Sequence, residues 1–220
     1  MKISANTVSI LKNFASINEN ILVREGNVLT TRTVAKNIFV SATVDTNFPQ
    51  DFGIYNLNQL LGVLTLFSDP DVELGEKNLT ISQGKNRVHY MFASQEVLDF
   101  PDRQVKMASA DAEFDLSEEN LKSLLKAGSV LKSTDINITG NGEKIVCTVL
   151  DPKNVAANTF SVEVGETTNN FSVFIKLDNL KMIMGKYKVS LAGKKLALFS
   201  NGTIDYKFYI ANEKNSTWSE

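Results

Sequence analysis

Few residues of this chain are of a type that does covalent chemistry. Its 220 residues hold one cysteine, Cys147, and one histidine, His89. A Cys/His metal cluster is therefore excluded, and a nucleophile–base pair would require these two lone residues to meet. Cys147 sits in the alternating run Lys144-Ile-Val-Cys-Thr-Val149, the usual setting of a buried structural thiol. Carboxylates are plentiful but scattered along strand and turn segments, and no pair is singled out for acid–base work. No glycine-rich phosphate loop, dinucleotide fingerprint or nucleophile-elbow motif is present. The residues point away from an enzyme and towards a chain with no metal and no cofactor.

What remains is electrostatic chemistry. Lys12, Lys122, Lys126 and Lys181 recur on segments whose apolar spacing is helical. The formal net charge is −2, from 23 basic and 25 acidic residues, so this is not a nucleic-acid binder with a uniformly basic surface. Placement carries the signal. Acids gather at 69–76 and 99–119, whereas the polar helix faces favour lysine. A routine solvated helix face is the plain alternative reading of the same residues.

The elements that must position these lysines repeat. MKIS reads as a short strand, and Asn6 to Ile17 as a helix with its stripe at Ile10, Leu11, Phe14, Ala15 and Ile17. Strands follow at Asn20 to Glu25, Val28 to Arg32 and Asn37 to Val44, separated by turn signals. The pattern restarts with the strand FGIY and a helix over Leu57 to Phe67. It continues with strands at Asp71 to Leu74, Leu79 to Gln83 and Arg87 to Phe92. A third copy begins at Glu113, with Ser117 as helix cap and Leu121, Leu124, Leu125 and Leu131 as the stripe. Strands at Ile136 to Thr139, Lys144 to Leu150 and Thr159 to Val164 complete it. The fourth copy, Asn170 to Ala211, echoes the second and predicts a helix carrying Lys181, flanked by Lys176, Lys186 and Lys188.

An isolated strand–helix–three-strand module cannot bury both its helix stripe and its sheet face, but two modules back to back can. The chain therefore reads as α+β, with two similar domains over 1–93 and 112–220 and a connector over 94–111. The outward helix residues are Ser9, Lys12, Asn13 and Ser16 on the first helix, and neutral Asn58, Gln59, Gly62 and Thr65 on the second. On the third they are Glu119, Lys122, Lys126 and Ser129. Aligning the modules puts Lys12 and Lys126 at one repeat position. No apolar run reaches the ~18 residues of a membrane span. The start MKISANTVS lacks a secretory pattern, so a soluble cytoplasmic protein is expected and the sequons at Asn78, Asn137, Asn201 and Asn215 are read as incidental.

MKIS with Leu11-Lys-Asn-Phe-Ala-Ser-Ile-Asn18, Ile54-Tyr-Asn-Leu-Asn-Gln-Leu-Leu-Gly-Val-Leu64 and Met184-Gly-Lys-Tyr-Lys-Val resemble the DNA polymerase sliding clamps of T4-type bacteriophages, over essentially the whole chain. The resemblance implies the sliding-clamp fold and a homotrimeric ring with helices lining the hole and sheets outside. Duplex DNA would be encircled without sequence readout, facing Lys12, Lys122, Lys126 and Lys181. It implies a replicative DNA polymerase as partner, an ATP-dependent clamp loader, and action in the cytoplasm of an infected host cell. It also implies subunits joined through the strands at Arg87 to Phe92 and Thr159 to Val164. A partner-peptide pocket is expected at Val97, Leu98, Phe100, Pro101 and Val105, which alternatively dock onto their own domains. A structural virion protein built of repeated strand-rich modules is the competing reading.

Overall fold

The computed structural model describes residues 1–154 and 156–219. They form two compact units, Met1–Gln104 and Val105–Glu220. Unit 1 runs α1 (Ala5–Ala15), β1 (Ile21–Val23), β2 (Gly26–Arg32), β3 (Ile38–Phe48), β4 (Phe52–Ile54), α2 (Leu57–Leu64), β5 (Asp71–Leu74), β6 (Asn78–Gln83) and β7 (Asn86–Met91). Unit 2 runs β8 (Ala112–Leu116), α3 (Glu118–Leu131), β9 (Asp135–Asn141), β10 (Lys144–Leu150), β11 (Phe160–Glu166), β12 (Asn170–Lys176), β13 (Tyr187–Ala192), β14 (Leu196–Asn201), β15 (Tyr206–Ala211) and β16 (Thr217–Trp218).

Each helix starts where a side chain replaces the missing backbone partner. Ser4, Asn56 and Ser117 accept hydrogen bonds from the amides of Thr7, Gln59 and Asn120 at 3.0, 2.8 and 3.1 Å. Glu118 and Glu119 in the first turn of α3 complement its positive end. The stripes then bury as their spacing demands. Thr7, Ile10, Leu11 and Phe14 are buried on α1, Leu57, Leu60, Leu61 and Leu64 on α2, and Leu121, Leu124 and Gly128 on α3. Each such leucine stabilises the fold by about 2 kcal/mol. α1 packs on α2, and α3 packs on β10 and β11.

The modules do not simply sit back to back; they exchange their first strands. In unit 2, β8 opens the third module but pairs with β13 of the fourth, while β12 opens the fourth and pairs with β9 of the third. The result is one sheet in the order β11-β10-β9-β12-β16 and a second in which β8, β13, β14 and β15 are neighbours. Inward residues of the first sheet, Ile136, Ile138, Ile145, Cys147, Val149, Val173 and Ile175, are all buried, and α3 packs over β10 among them. Gly140 lies opposite Phe171, whose ring covers the site of a Gly140 Cβ and stacks on Trp218 at 4.5 Å. In unit 1, β4 of the second module likewise joins β1 of the first. β2 pairs with β3, and β5-β6-β7 form a three-stranded sheet.

Two expectations change. MKIS is not a strand. Met1 exchanges a pair of backbone hydrogen bonds with Val72 at 2.7 and 2.8 Å, and Ser4 already caps α1, which leaves no length for a ladder. That single pair is the counterpart of the strand exchange seen in unit 2. The fourth helix is also absent, being reduced to a 3-10 turn at Leu177–Asn179. Its buried residues Leu180 and Met182 are two apart, no side chain caps it, and Gly185 adopts φ 159° shortly after. Helical propagation has neither a nucleus nor a 3.6-residue stripe to reward it. The turn instead packs tightly on α3 at Gly128, where a Cβ would stand 2.7 Å from Leu177 Cδ1.

Asp135 is buried at 1% side-chain exposure and is held by the Lys176 ammonium, both carboxylate oxygens accepting at 2.9 Å. The bond to Asp135 raises the Lys176 pKa. The stability linked to this shift is thus present at neutral pH and is lost in alkaline solution as Lys176 deprotonates. Lys176→Met, which strands the carboxylate, is expected to cost roughly 2 kcal/mol in urea unfolding, less than a fully buried pair because the lysine reaches solvent. Burial also pushes the Cys147 thiol up to about 12. The folded protein is expected to resist iodoacetamide at pH 8, one thiol becoming reactive only in denaturant.

Candidate nucleic-acid interface

The outward faces of the three helices are laid out as their periodicity requires. Ser9, Lys12 and Ser16 are exposed on α1, with Asn13 half-buried. Asn58, Gln59, Gly62 and Thr65 are exposed on α2, and Glu119, Lys122, Lys126 and Ser129 on α3. Lys122 is paired with Glu118 one turn earlier, an i,i+4 contact on the same face. Lys12 and Lys126 have no ion-pair partner among the described residues. Of the lysines on the outward helix faces, they are therefore the two most available to an external anion.

Lys181 lies outside any helix, exposed, with its amide donating to the Asn179 carbonyl at 2.9 Å. The lysines expected around it are engaged elsewhere. Lys176 holds Asp135, Lys186 meets Asp115 at 3.3 Å, and Lys188 meets Glu113 at 2.7 Å. Lys176 and Lys188 pair across neighbouring strands of unit 2, and Lys186 reaches β8 from just before β13. Glu113 is drawn below the usual carboxylate range by Lys188 and then by the Ser190 hydroxyl. The structure therefore reduces the positive field expected of the fourth module.

The groove beside Lys12, between the start of α1 and the end of α2, holds about 520 Å³ and is lined mainly by Val8, Leu61, Leu64, Phe67 and Pro70. Asp69 is its one carboxylate, so it offers no acid–base pair. His89 is exposed on β7 beside the Thr80 hydroxyl at 3.1 Å, while Cys147 is buried in the unit 2 sheet. Among the described residues no three His, Cys, Asp or Glu side chains are grouped to hold a metal. No helix is long and apolar enough to cross a membrane.

The connector residues divide. Leu98 packs onto Gly53, and Phe100 lies under the Arg24 guanidinium at 5.7 Å. Asp99 between them is bound to Arg32 at 2.7 Å, and its backbone meets Asn18 and Asn20 at 2.8 and 3.0 Å. Val97 is 58% exposed, and Pro101 and Val105 are half-buried. This leaves Val97 as the apolar side chain of the group most open to a partner.

Sequence reading missed Val130, which is 71% exposed on α3, and Leu66, which is 69% exposed just beyond α2. The available signal was phase. Gly128, not Leu131, occupies the buried stripe on α3, so Val130 falls off the core face.

Residues 4–97 match the family described as DNA polymerase processivity factor, and residues 113–214 match the family described as gp45 sliding clamp, C terminal. The chain is 32% identical to the sliding clamp of Escherichia phage RB69 and 30% identical to that of Enterobacteria phage T4, covering 99% of each protein in both cases. Against the sliding clamp of Vibrio phage KVP40 the identity is 28% over 97% of this chain and 99% of that one. Among solved structures, proliferating cellular nuclear antigen from Entamoeba histolytica superposes with a TM-score of 0.71 at 15% identity, covering 95% of each chain. The DNA polymerase III subunit beta of Pseudomonas aeruginosa superposes with a TM-score of 0.68 at 15% identity, over 96% of this chain and 63% of that one. The fold is that of the DNA clamps, and the chain belongs to the sliding-clamp family of DNA polymerase processivity factors.

Proposed function

We propose that three copies of this chain close head to tail into a ring around duplex DNA and tether a replicative polymerase to it. An ATP-dependent loader opens and closes the ring in the cytoplasm of the infected host cell. The observation that carries this reading is the pair Lys12 and Lys126, exposed and without an ion-pair partner among the described residues, at the same position of modules one and three, in a chain matched over 99% of its length by phage sliding clamps. Acidic side chains are absent from the outward faces of α1 and α2, so those faces do not repel phosphate. Lysine suits a sliding contact because it meets phosphate as a mobile point charge and reads no base edge. Lys122 and Lys181 join these contacts, Lys122 at the cost of sharing its charge with Glu118.

The chain itself performs no catalysis in this account; nucleotide hydrolysis belongs to the loader. The partner-peptide contact is assigned to Val97, Leu98, Phe100, Pro101 and Val105, of which Val97 is the most exposed, and it takes short apolar segments of the polymerase and loader. The domain division follows the repeat, with 94–111 linking 1–93 to 112–220. The joints use the open strands β7 and β11, each of which has one neighbour in its sheet among the described residues.

Sedimentation at micromolar concentration is expected to give about three times the 24.3 kDa chain mass; a monomer or an even-numbered oligomer would overturn the ring. Direct binding of the unloaded protein to DNA is expected to be weak and salt-dependent. Substituting Lys12 or Lys126 by alanine should lower the slope of log K against log salt by ~0.9 per lysine around the ring. The same change at Lys188, which is tied to Glu113, should leave the slope unaltered.

A further inference from the structure

The connector leaves unit 1 through residues 98–100, which belong to no strand yet are each held in place. Leu98 lies against the backbone of β4, where a Cβ added to Gly53 would stand 2.6 Å from Leu98 Cδ1. Phe100 lies under the Arg24 guanidinium, which Asp51 holds at 2.8 Å. Between them, Asp99 is bonded through its amide, its carbonyl and its carboxylate. The amide donates to Asn20 Oδ1 at 3.0 Å, and the carbonyl accepts from Asn18 Nδ2 at 2.8 Å. The carboxylate Oδ1 accepts from Arg32 Nε and Nη2 at 3.1 and 2.7 Å.

The partners of Asp99 are themselves fixed. Asn18 is buried, and Nδ2 donates both to Asp99 and to the Arg32 carbonyl at 3.0 Å, while Oδ1 accepts from the Asn20 amide at 3.1 Å. One side chain therefore orients the α1–β1 turn, the end of β2 and the connector together. The same turn is tied to the start of α2, since the Leu57 amide donates to the Glu19 carbonyl at 2.6 Å. The Arg32 and Asp99 side chains are 20% and 28% exposed, so their bond is less screened by water and salt than a surface pair. A charge-assisted bond in such a setting is stronger than a neutral one.

This node lies in the middle of the residues assigned to the partner-peptide contact. Val97, 58% exposed, comes two residues before Asp99, and half-buried Pro101 comes two after. Proline fixes its own φ and confines the residue before it to extended conformations, so Phe100 is restricted from its C-terminal side as well. The division between the units falls later, at Gln104–Val105, and residues 102–104 are exposed. Fixation thus belongs to the segment carrying Val97 and not to the whole connector. A segment that must be ordered when its partner arrives loses affinity to that ordering, whereas one already held does not.

We propose that Asp99 is a positioning residue for the partner-peptide contact: its bonds to Asn18, Asn20 and Arg32 hold residues 97–101 in the conformation that receives an apolar segment of the polymerase. This rests on the contact proposed above and adds to it a residue that acts through its neighbours. The test measures, on the full chain, backbone hydrogen exchange and affinity for the purified replicative polymerase of the same phage. In Asp99→Ala the amide at position 99 is expected to exchange about tenfold faster or more, while the Ala93 amide, held by the Gly53 carbonyl at 2.9 Å, keeps its protection. Polymerase affinity is expected to fall about tenfold in the same variant. Asp99→Asn, which keeps an acceptor towards Arg32 but no charge, and Asn20→Ala, which removes only the acceptor of the Asp99 amide, should give smaller changes in the same direction; they decide the matter if Asp99→Ala does not fold. Val97→Glu should weaken polymerase binding and leave exchange at position 99 unaltered. Unchanged exchange in the Asp99 variants, or faster exchange with unchanged affinity, overturns the positioning role and leaves the contact standing. Unchanged affinity in Val97→Glu, or a wild-type protein that does not bind the polymerase, removes the contact and the positioning role with it.

Discussion

A strand–helix–three-strand module has more apolar surface than it can cover alone. Its helix needs a partner, and its sheet needs one more strand than the module supplies locally. Unit 2 meets both needs by exchange, β8 joining the sheet of the fourth module and β12 that of the third. Unit 1 does so in shortened form, with β4 on β1 and the single Met1–Val72 pair. Because each first strand is held by the neighbouring module, neither module of a pair can complete its sheet without the other.

The exchange also fixes what is left over. Once each helix turns its stripe inward, its opposite face is left outward, and those faces carry lysine, serine, asparagine, glutamine and, on α3, Glu119 in place of a second apolar stripe. β7 and β11 are among the strands left with a single neighbour, as are β5, β8 and β16. Natural sheets usually protect such edges, and in the proposed ring these two strands, which expose opposite charge, serve as the joints. In the proposed ring the same economy explains the duplication of the fold, since a cylinder of phosphate is best surrounded by near-identical surfaces.

Much of this was legible from local pattern. The strands Asp71–Leu74 and Lys144–Leu150 were delimited by alternation alone, and the caps Ser117 and Asn56 stand where short polar residues precede leucine stripes. The outward lysines of α1 and α3 followed from phase. What escaped was non-local. The fourth helix was inferred from likeness to α2, but Leu180 and Met182 alternate, and a nearby glycine and the missing cap remove the gain from propagating a turn. Lys176 reads as a helix-flanking cation until Asp135, distant in sequence, is brought beside it by the β9–β12 pairing. The engagement of Lys188 by Glu113 likewise depends on strand exchange. By contrast, the Lys122–Glu118 pair was available in the i,i+4 spacing.

Encirclement, as opposed to surface binding, is the central claim, and topology gives it a direct measurement. Salt dissociates a protein held by lysine–phosphate contacts alone, because cations return to the phosphates. A closed ring on a closed circle has no end to leave by. The protein is loaded on a nicked circular duplex, moved to salt that abolishes its direct affinity while preserving the oligomer, and its retention is compared before and after the circle is linearised. The account predicts retention on the intact circle and rapid loss once a free end exists. Equal loss from circular and linear DNA would contradict it.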